Sequence, residues 1–237
     1  SLYLSDLLEG IEYAVINNAS VMNMSFSFSG NYSVFDQIIA SAHASGVSTI
    51  ASSGNYSDDS CLYLPARLPH VITVGAFDEA FNRTSWSSFG PCVDIHAPGL
   101  NVSCATAGGG WTYGMGTSVS APHVSGVAAV THEIASHYSS GQSLTEFVGE
   151  HLRTMATEGA LGNVPADTAN LTLDYGAVAT ALKPCMSDLD RDGSPDADDV
   201  LLVLSGWGTA EGDIDNSGAT DVQDILWLID TWGETCP

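Results

Sequence analysis

Along the first 180 or so residues, apolar positions alternate between two periodicities. Residues 5–17 (SDLLEGIEYAVIN) and 34–45 (VFDQIIASAHAS) space them at helical intervals, the second run stopped by Gly46. Between and after these stand short β-branched or continuous apolar runs: SVMNMSF at 20–26, VSTIA at 47–51, VITVGA at 71–76 and VDIHA at 93–97, each read as a strand. A long helix is predicted over 118–137, with Pro122 in its first turn. A further helix runs to about Met155, introduced by Ser143 and Glu146 in capping-box spacing. Helix and strand in alternation predict an α/β fold, a mainly parallel sheet sandwiched by helices.

The pattern changes near Pro184. DLDRDGSPDADDVLLVLSGWG at 188–208 returns as DIDNSGATDVQDILWLIDTWG at 213–233, with eight identities in 21 positions at an offset of 25. This predicts a small all-α module at 185–237 built from a duplicated unit, after a larger domain at 1–182.

Charge then narrows the chemistry. Five Lys+Arg against 28 Asp+Glu leave a net charge of −23, which argues against nucleic acid or anionic membrane as partners. No apolar run approaches the roughly 20 residues of a membrane span. Thirteen of the acids, with one base, lie in 185–237, regularly spaced. Oxygen ligands at positions 1, 3, 5, 7, 9 and 12 of a 12-residue loop, with Gly at 6, make a calcium site. The first repeat supplies Asp188, Asp190, Asp192, Ser194 through its backbone, Asp196 and Asp199 around Gly193. The second supplies Asp213, Asp215, Ser217, Ala219 through its backbone, Asp221 and Asp224 around Gly218. Ser217 stands where a carboxylate or carboxamide is usual, so the second loop is expected to bind more weakly. Each loop leads into one short apolar helix ending in Trp-Gly, and position 12 is Asp. In this the tail resembles type I dockerins, modules that bind cohesins on other proteins. The resemblance makes Ca²⁺ the cofactor and a cohesin-like protein the partner, read through Ala197-Asp198 and Val222-Gln223.

The larger domain carries a serine in GMGTSVSAPHVSGVAAV at 114–130. A serine that opens a helix lies beside free backbone N–H groups, and its small neighbours let a carbonyl approach. The G-x-S-x-G elbow does not fit, because Ser120 stands where the second glycine belongs. GTSVSAPHVSG at 116–126 resembles the nucleophile motif of subtilisin-like serine peptidases, particularly the proteinase K-like branch. VMNMSFS at 21–27, IASSGN at 50–55, CLYLPARLPHVITVGA at 61–76, SWSSFGPCVDIHAPG at 85–99 and LDYGAV at 173–178 follow the same family in order and spacing.

The resemblance implies that Ser118 is the nucleophile and that Asn55 and the Ser118 N–H form the oxyanion hole. Ser25, Phe26 and Ser27 would make an edge strand that pairs with a polypeptide substrate, Phe26 shaping an upstream apolar pocket. Ser27 replaces the family's usual glycine. Ser52, Ser53 and Gly54 would line the pocket for the residue before the cut. A further calcium site is implied at the Pro69 and Val71 carbonyls and the Asp94 carboxylate, and a disulfide between Cys61 and Cys92. A second bridge, Cys185 to Cys236, would bracket the tail; Cys104 is left over. Disulfides imply an extracellular, secreted protein.

The family's catalytic Asp and His sit in D-x-G and H-G-T blocks that this sequence lacks; Ser1 aligns just after them. His123 belongs to the serine motif as a structural residue. His43, His132, His137 and His151 are expected on helix surfaces, and His70 and His96 in satisfied structural roles. Two classes of function follow: a secreted serine endopeptidase whose Asp and His lie upstream, the 237-residue chain alone being inactive; or a non-catalytic, calcium-dependent docking protein with an inactive peptidase-like domain.

Overall fold

The structure, a computed structural model, describes residues 3–138, 143–215 and 217–235. It divides into two compact units: Ser1–His132 with Ser143–Asp174, and Glu133–Gln142 with Tyr175–Pro237.

The first unit is built on a six-stranded sheet of order β1-β3-β5-β6-β10-β9. The strands are β1 (Val21–Met24), β3 (Ser48–Ser52), β5 (Val71–Phe77), β6 (Ile95–Pro98), β10 (Leu171–Thr172) and β9 (Thr157–Glu158). All neighbours are parallel except β9 on β10. Every residue of β3 and β5 is buried, as expected of central parallel strands covered on both faces. On one face, Ile11 of α1 (Leu4–Ile16) and Phe35, Ile39 and Ala42 of α2 (Ser33–Ala44) pack with Val47, Ala51 and Val71. On the other, Gly149 of α4 (Leu144–Thr154) lies against Ile72, close enough that a Cβ would stand 3.7 Å from it.

Two small sheets escaped the sequence patterns: β2 (Phe28–Ser29) on β4 (Tyr63–Leu64), and the hairpin β7 (Val102–Ala105) and β8 (Trp111–Gly114). The predicted strand at 20–26 ends at Met24, and that at 93–97 begins only at Ile95. The capping box does not form, because the Ser143 hydroxyl bonds Thr145 Oγ1 at 2.7 Å and makes no cap bond. Pro122 lies deeper than expected: α3 spans Thr117–Tyr138, which puts the proline inside the helix. Cys61 and Cys92 are disulfide-bonded. Cys185 is buried; its expected bridge falls outside the described residues because Cys236 does.

The histidines depart furthest from expectation. His132 and His151 are buried, and His43 stacks on His70 at 4.1 Å between ring centroids. The side chain of His137 lies outside the described residues. His96 is fully buried, and neither ring nitrogen has a partner of ordinary hydrogen-bond geometry. Burial therefore lowers its pKa to about 4, against the Leu171 backbone, which raises it, and with a smaller push from the Arg83 charge. A base whose folded pKa lies below its unfolded value of 6.5 stabilises the fold fully above pH 6.5 and loses that stability as pH falls towards 4. The loss amounts to about 3 kcal/mol. His96→Phe is expected to shrink the difference in urea midpoint between pH 7 and pH 4.5; an unchanged difference would show that His96 titrates normally.

The second unit contains α5 (Tyr175–Ser187), α6 (Ala197–Ser205) and α7 (Val222–Asp230). Its core is Val203, Ile214 and Leu228, with Leu189, Val200 and Ile225 packed around them. These are repeat partners at the 25-residue offset: Leu189 with Ile214, Val200 with Ile225, Val203 with Leu228. Among the described residues, no helix is long and apolar enough to cross a membrane.

Candidate active site and acidic loops

Two ends of the first unit's backbone create the site. β3 runs out through Ser53, whose N–H still bonds the Val74 carbonyl at 2.9 Å, into Gly54 at φ +105° and the exposed Asn55. α3 begins after Gly116, whose N–H is held by the Gly99 carbonyl at 2.9 Å. Asn55 reaches the start of α3 with its amide oriented: Oδ1 accepts from Thr117 N–H and Thr117 Oγ1, both at 2.9 Å. That leaves Nδ2 as the free, donating end.

Gly116 shows where Nδ2 lies. A Cβ built there would stand 3.1 Å from Asn55 Nδ2 and 3.7 Å from the Ser118 backbone N. Both donors therefore border the same small space, which a glycine at φ +125° keeps empty. Two nitrogens bordering one space are what an oxyanion hole would be built from.

Ser118 is half-buried and tied to the loop after β1 in both directions. Its hydroxyl donates to the Ser25 carbonyl at 3.3 Å, and the Ser25 hydroxyl donates to the Ser118 carbonyl at 2.8 Å. Pro122 explains the second bond. Having no N–H, it leaves the Ser118 carbonyl without its i+4 helical partner, and Ser25 supplies the replacement. Ser25 Oγ accepts from Asn23 Nδ2, and Asn23 Oδ1 accepts from Ser125 Oγ, each at 2.9 Å. Neither Asn23 nor Ser125 was picked out by sequence; both became visible only once β1 lay beside α3. His123 turns Nδ1 to the Val119 carbonyl at 2.8 Å, in the structural role expected of it.

Residues 25–27, expected as an edge strand, lie between β1 and β2 and belong to no sheet. Phe26 and Ser27 border a cavity of about 410 Å³ with Leu4, Leu7, Phe28 and Tyr32. Ser27 Oγ donates to the Tyr56 hydroxyl at 3.2 Å, so Tyr56 joins this segment to the Asn55 turn. Ser52 and Ser53 point their side chains inward, and Ser53 Oγ is spent on the Ser88 carbonyl at 3.3 Å. Only their backbone and Gly54 remain to line a pocket.

In the second unit, the first repeat gathers Asp188, Asp190 and Asp192, and the second gathers Asp213, Asp215 and Asp224, each set with carboxylate oxygens within 4.8 Å of one another. Gly193 and Gly218 take the positive φ that position 6 demands, +110° and +104°. Asp196 and Asp221 also cap α6 and α7, accepting from the N–H groups of Asp198 and Gln223. Asp199 and Asp224 close the loops by accepting from Leu189 and Asp190, and from Ile214 and Asp215. Ser217 donates to the Ala219 carbonyl instead of offering a charge. The Asp190 carboxyl is pushed above its ordinary pKa by desolvation first, against the Asp192 N–H bond that lowers it, and then by the charges of Asp199, Asp192 and Asp188. A hard oxygen-seeking cation fits this donor set. The Pro69, Val71 and Asp94 site fits less well, since Asp94 Oδ2 accepts from Thr73 N–H at 2.8 Å and Oδ1 lies 3.4 Å from Arg153 Nη1.

The family model described as "Subtilase family" matches residues 1–177. The chain belongs to the subtilase family. It is 36% identical over 160 residues to alkaline elastase YaB of Bacillus sp. (strain YaB), covering 68% of this chain and 40% of that protein. It is 32% identical over 191 residues to the subtilisin-like serine protease pepC of Aspergillus niger, covering 71% and 36%. Among solved structures, a cold-adapted subtilisin-like serine proteinase superposes with a TM-score of 0.66 at 32% identity, covering 74% of this chain and 62% of that one. The chain thus spans well under half the length of these curated subtilases.

Proposed function

We propose that this subtilase chain is the nucleophile-bearing part of a secreted serine endopeptidase of the proteinase K-like branch, joined to a calcium-binding docking module. The observation that carries the first half is the shared space at Gly116, bordered by Asn55 Nδ2 and Ser118 N. A polypeptide lying against residues 25–27 would bring its scissile carbonyl there, with an apolar upstream residue in the cavity beside Phe26, Leu4 and Leu7. Ser118 Oγ attacks the carbonyl carbon, and its proton passes to a histidine supplied by upstream sequence and oriented by an aspartate. The tetrahedral oxyanion accepts from Asn55 Nδ2 and Ser118 N–H. Collapse returns the proton to the leaving amine, and water then hydrolyses the acyl-serine.

The Cys61–Cys92 disulfide supports both the branch and an oxidising destination. For the module at 185–237, the loops hold Ca²⁺ when bound. The repeat-related exposed residues Leu201, Leu204 and Trp207, and Leu226, Ile229 and Trp232, favour a protein partner of the cohesin type beside Ala197-Asp198 and Val222-Gln223.

The test is labelling by a fluorophosphonate. In a chain extended upstream through its D-x-G and H-G-T blocks, Ser118 is expected to be modified and Ser118→Ala to be inert. The 237-residue chain alone is expected to stay unlabelled. An extended chain that neither labels nor cleaves casein would leave the non-catalytic docking protein as the reading.

A further inference from the structure

At the opposite end of β3 from Asn55 lies a cavity of about 490 Å³, bordered by Ser48 and Thr49, by the starts of β5 and by α4. Its charged and titratable lining is uneven. Of only five Lys and Arg in the chain, Arg67 and Arg153 both face it, with His43 and His70, against Asp94 and Glu146. Relatives are expected to hold calcium here on Asp94 and the Pro69 and Val71 carbonyls, and the groups present do not suit that ion. Calcium takes six to eight oxygens and favours carboxylates free to turn towards it. Asp94 is fixed by the Thr73 N–H at 2.8 Å, and its other oxygen faces the Arg153 guanidinium at 3.4 Å. A divalent ion on Asp94 would sit beside that positive charge.

We infer that Arg153 is the resident cation of this cavity, so that the peptidase-like unit does not take up calcium there and gains a calcium site only when the guanidinium is removed. The inference is independent of catalysis and rests on the family's expected ion position together with the observed ion pair.

The experiment uses the full chain carrying Asp188→Asn and Asp213→Asn, which silences the tail loops, and follows thermal melting of the first unit in EDTA and in millimolar calcium. With Arg153 in place the two midpoints are expected to coincide. With Arg153→Ala the midpoint in EDTA falls, and calcium raises it by about 3 °C or more. Arg153→Gln, which keeps the length and drops the charge, repeats the measurement if the alanine variant does not fold. A calcium-dependent rise in the Arg153 chain equal to that of the variants would overturn the inference. So would the absence of any rise in both variants, since the cavity would then not be one that the guanidinium keeps from calcium.

Discussion

Stripping calcium from the chain with EDTA at neutral pH is expected to unfold α6 and α7 while the sheet of the first unit keeps its melting transition. The second unit has little else to hold it. Within the duplicated repeats the buried apolar cluster is Val203, Ile214 and Leu228, far less than a fifty-residue module needs to fold unaided. Against that core stand two rings of carboxylates within 4.8 Å of one another, whose repulsion an ion removes. Binding to the folded form alone stabilises by about 4 kcal/mol when free calcium exceeds the dissociation constant a thousandfold. Folding and binding are thus expected to appear as one event.

Far-UV circular dichroism and limited proteolysis before and after chelation measure it. A helical signal that persists in EDTA, with residues 185–235 still protected, would remove calcium from the account. The loops are also expected to differ. Asp188→Asn removes a ligand from a ring with carboxylates at positions 1, 3 and 5, whereas Asp213→Asn strikes a ring already short of one at Ser217. The second substitution is therefore expected to raise the calcium midpoint more.

Much of this was legible from residue order because the determining forces are local. The parallel strands announced themselves as β-branched runs, since a strand covered on both faces is apolar at every position. The acidic loops were legible as clusters, because twelve consecutive residues fix their spacing: Asp188, Asp190 and Asp192 gather, as do Asp213, Asp215 and Asp224. The misses share a different cause. β2, β4, β9 and β10 are two residues long, too short to carry a period. His151 and His132 sit on helices, where sequence cannot tell which face meets the sheet; packing put both inside. The Asn23–Ser25–Ser118–Ser125 network joins residues about a hundred positions apart, so no spacing rule contains it. Pro122 could be seen, but its consequence could not: the helix had to begin at Thr117 before the Ser118 carbonyl became the one left unpaired.

In the extended, competent enzyme, Asn55→Ala is expected to lower kcat by about a hundred- to a thousandfold with little change in KM. That magnitude is carried over from the oxyanion asparagine of subtilisin, the namesake of this family, rather than derived from these distances. The direction and the kcat-only character do follow from the structure. Asn55 Nδ2 faces the space at Gly116, where charge develops only as the tetrahedral intermediate forms, so its loss spares ground-state binding. Thr117→Val separates aim from presence. It removes the hydroxyl that holds Asn55 Oδ1 but leaves the Thr117 N–H, so the amide stays and loses one of its two tethers. A loss of roughly tenfold in kcat is expected, about one hydrogen bond's worth. Asn55 is exposed, so Asn55→Ala is expected to leave the melting temperature nearly unchanged, whereas Thr117→Val, at a buried position, is expected to lower it by a few degrees. If Asn55→Ala instead raised KM and spared kcat, the amide would be binding substrate rather than transition state, and the convergence at Gly116 would have to be read as a peptide-binding cradle.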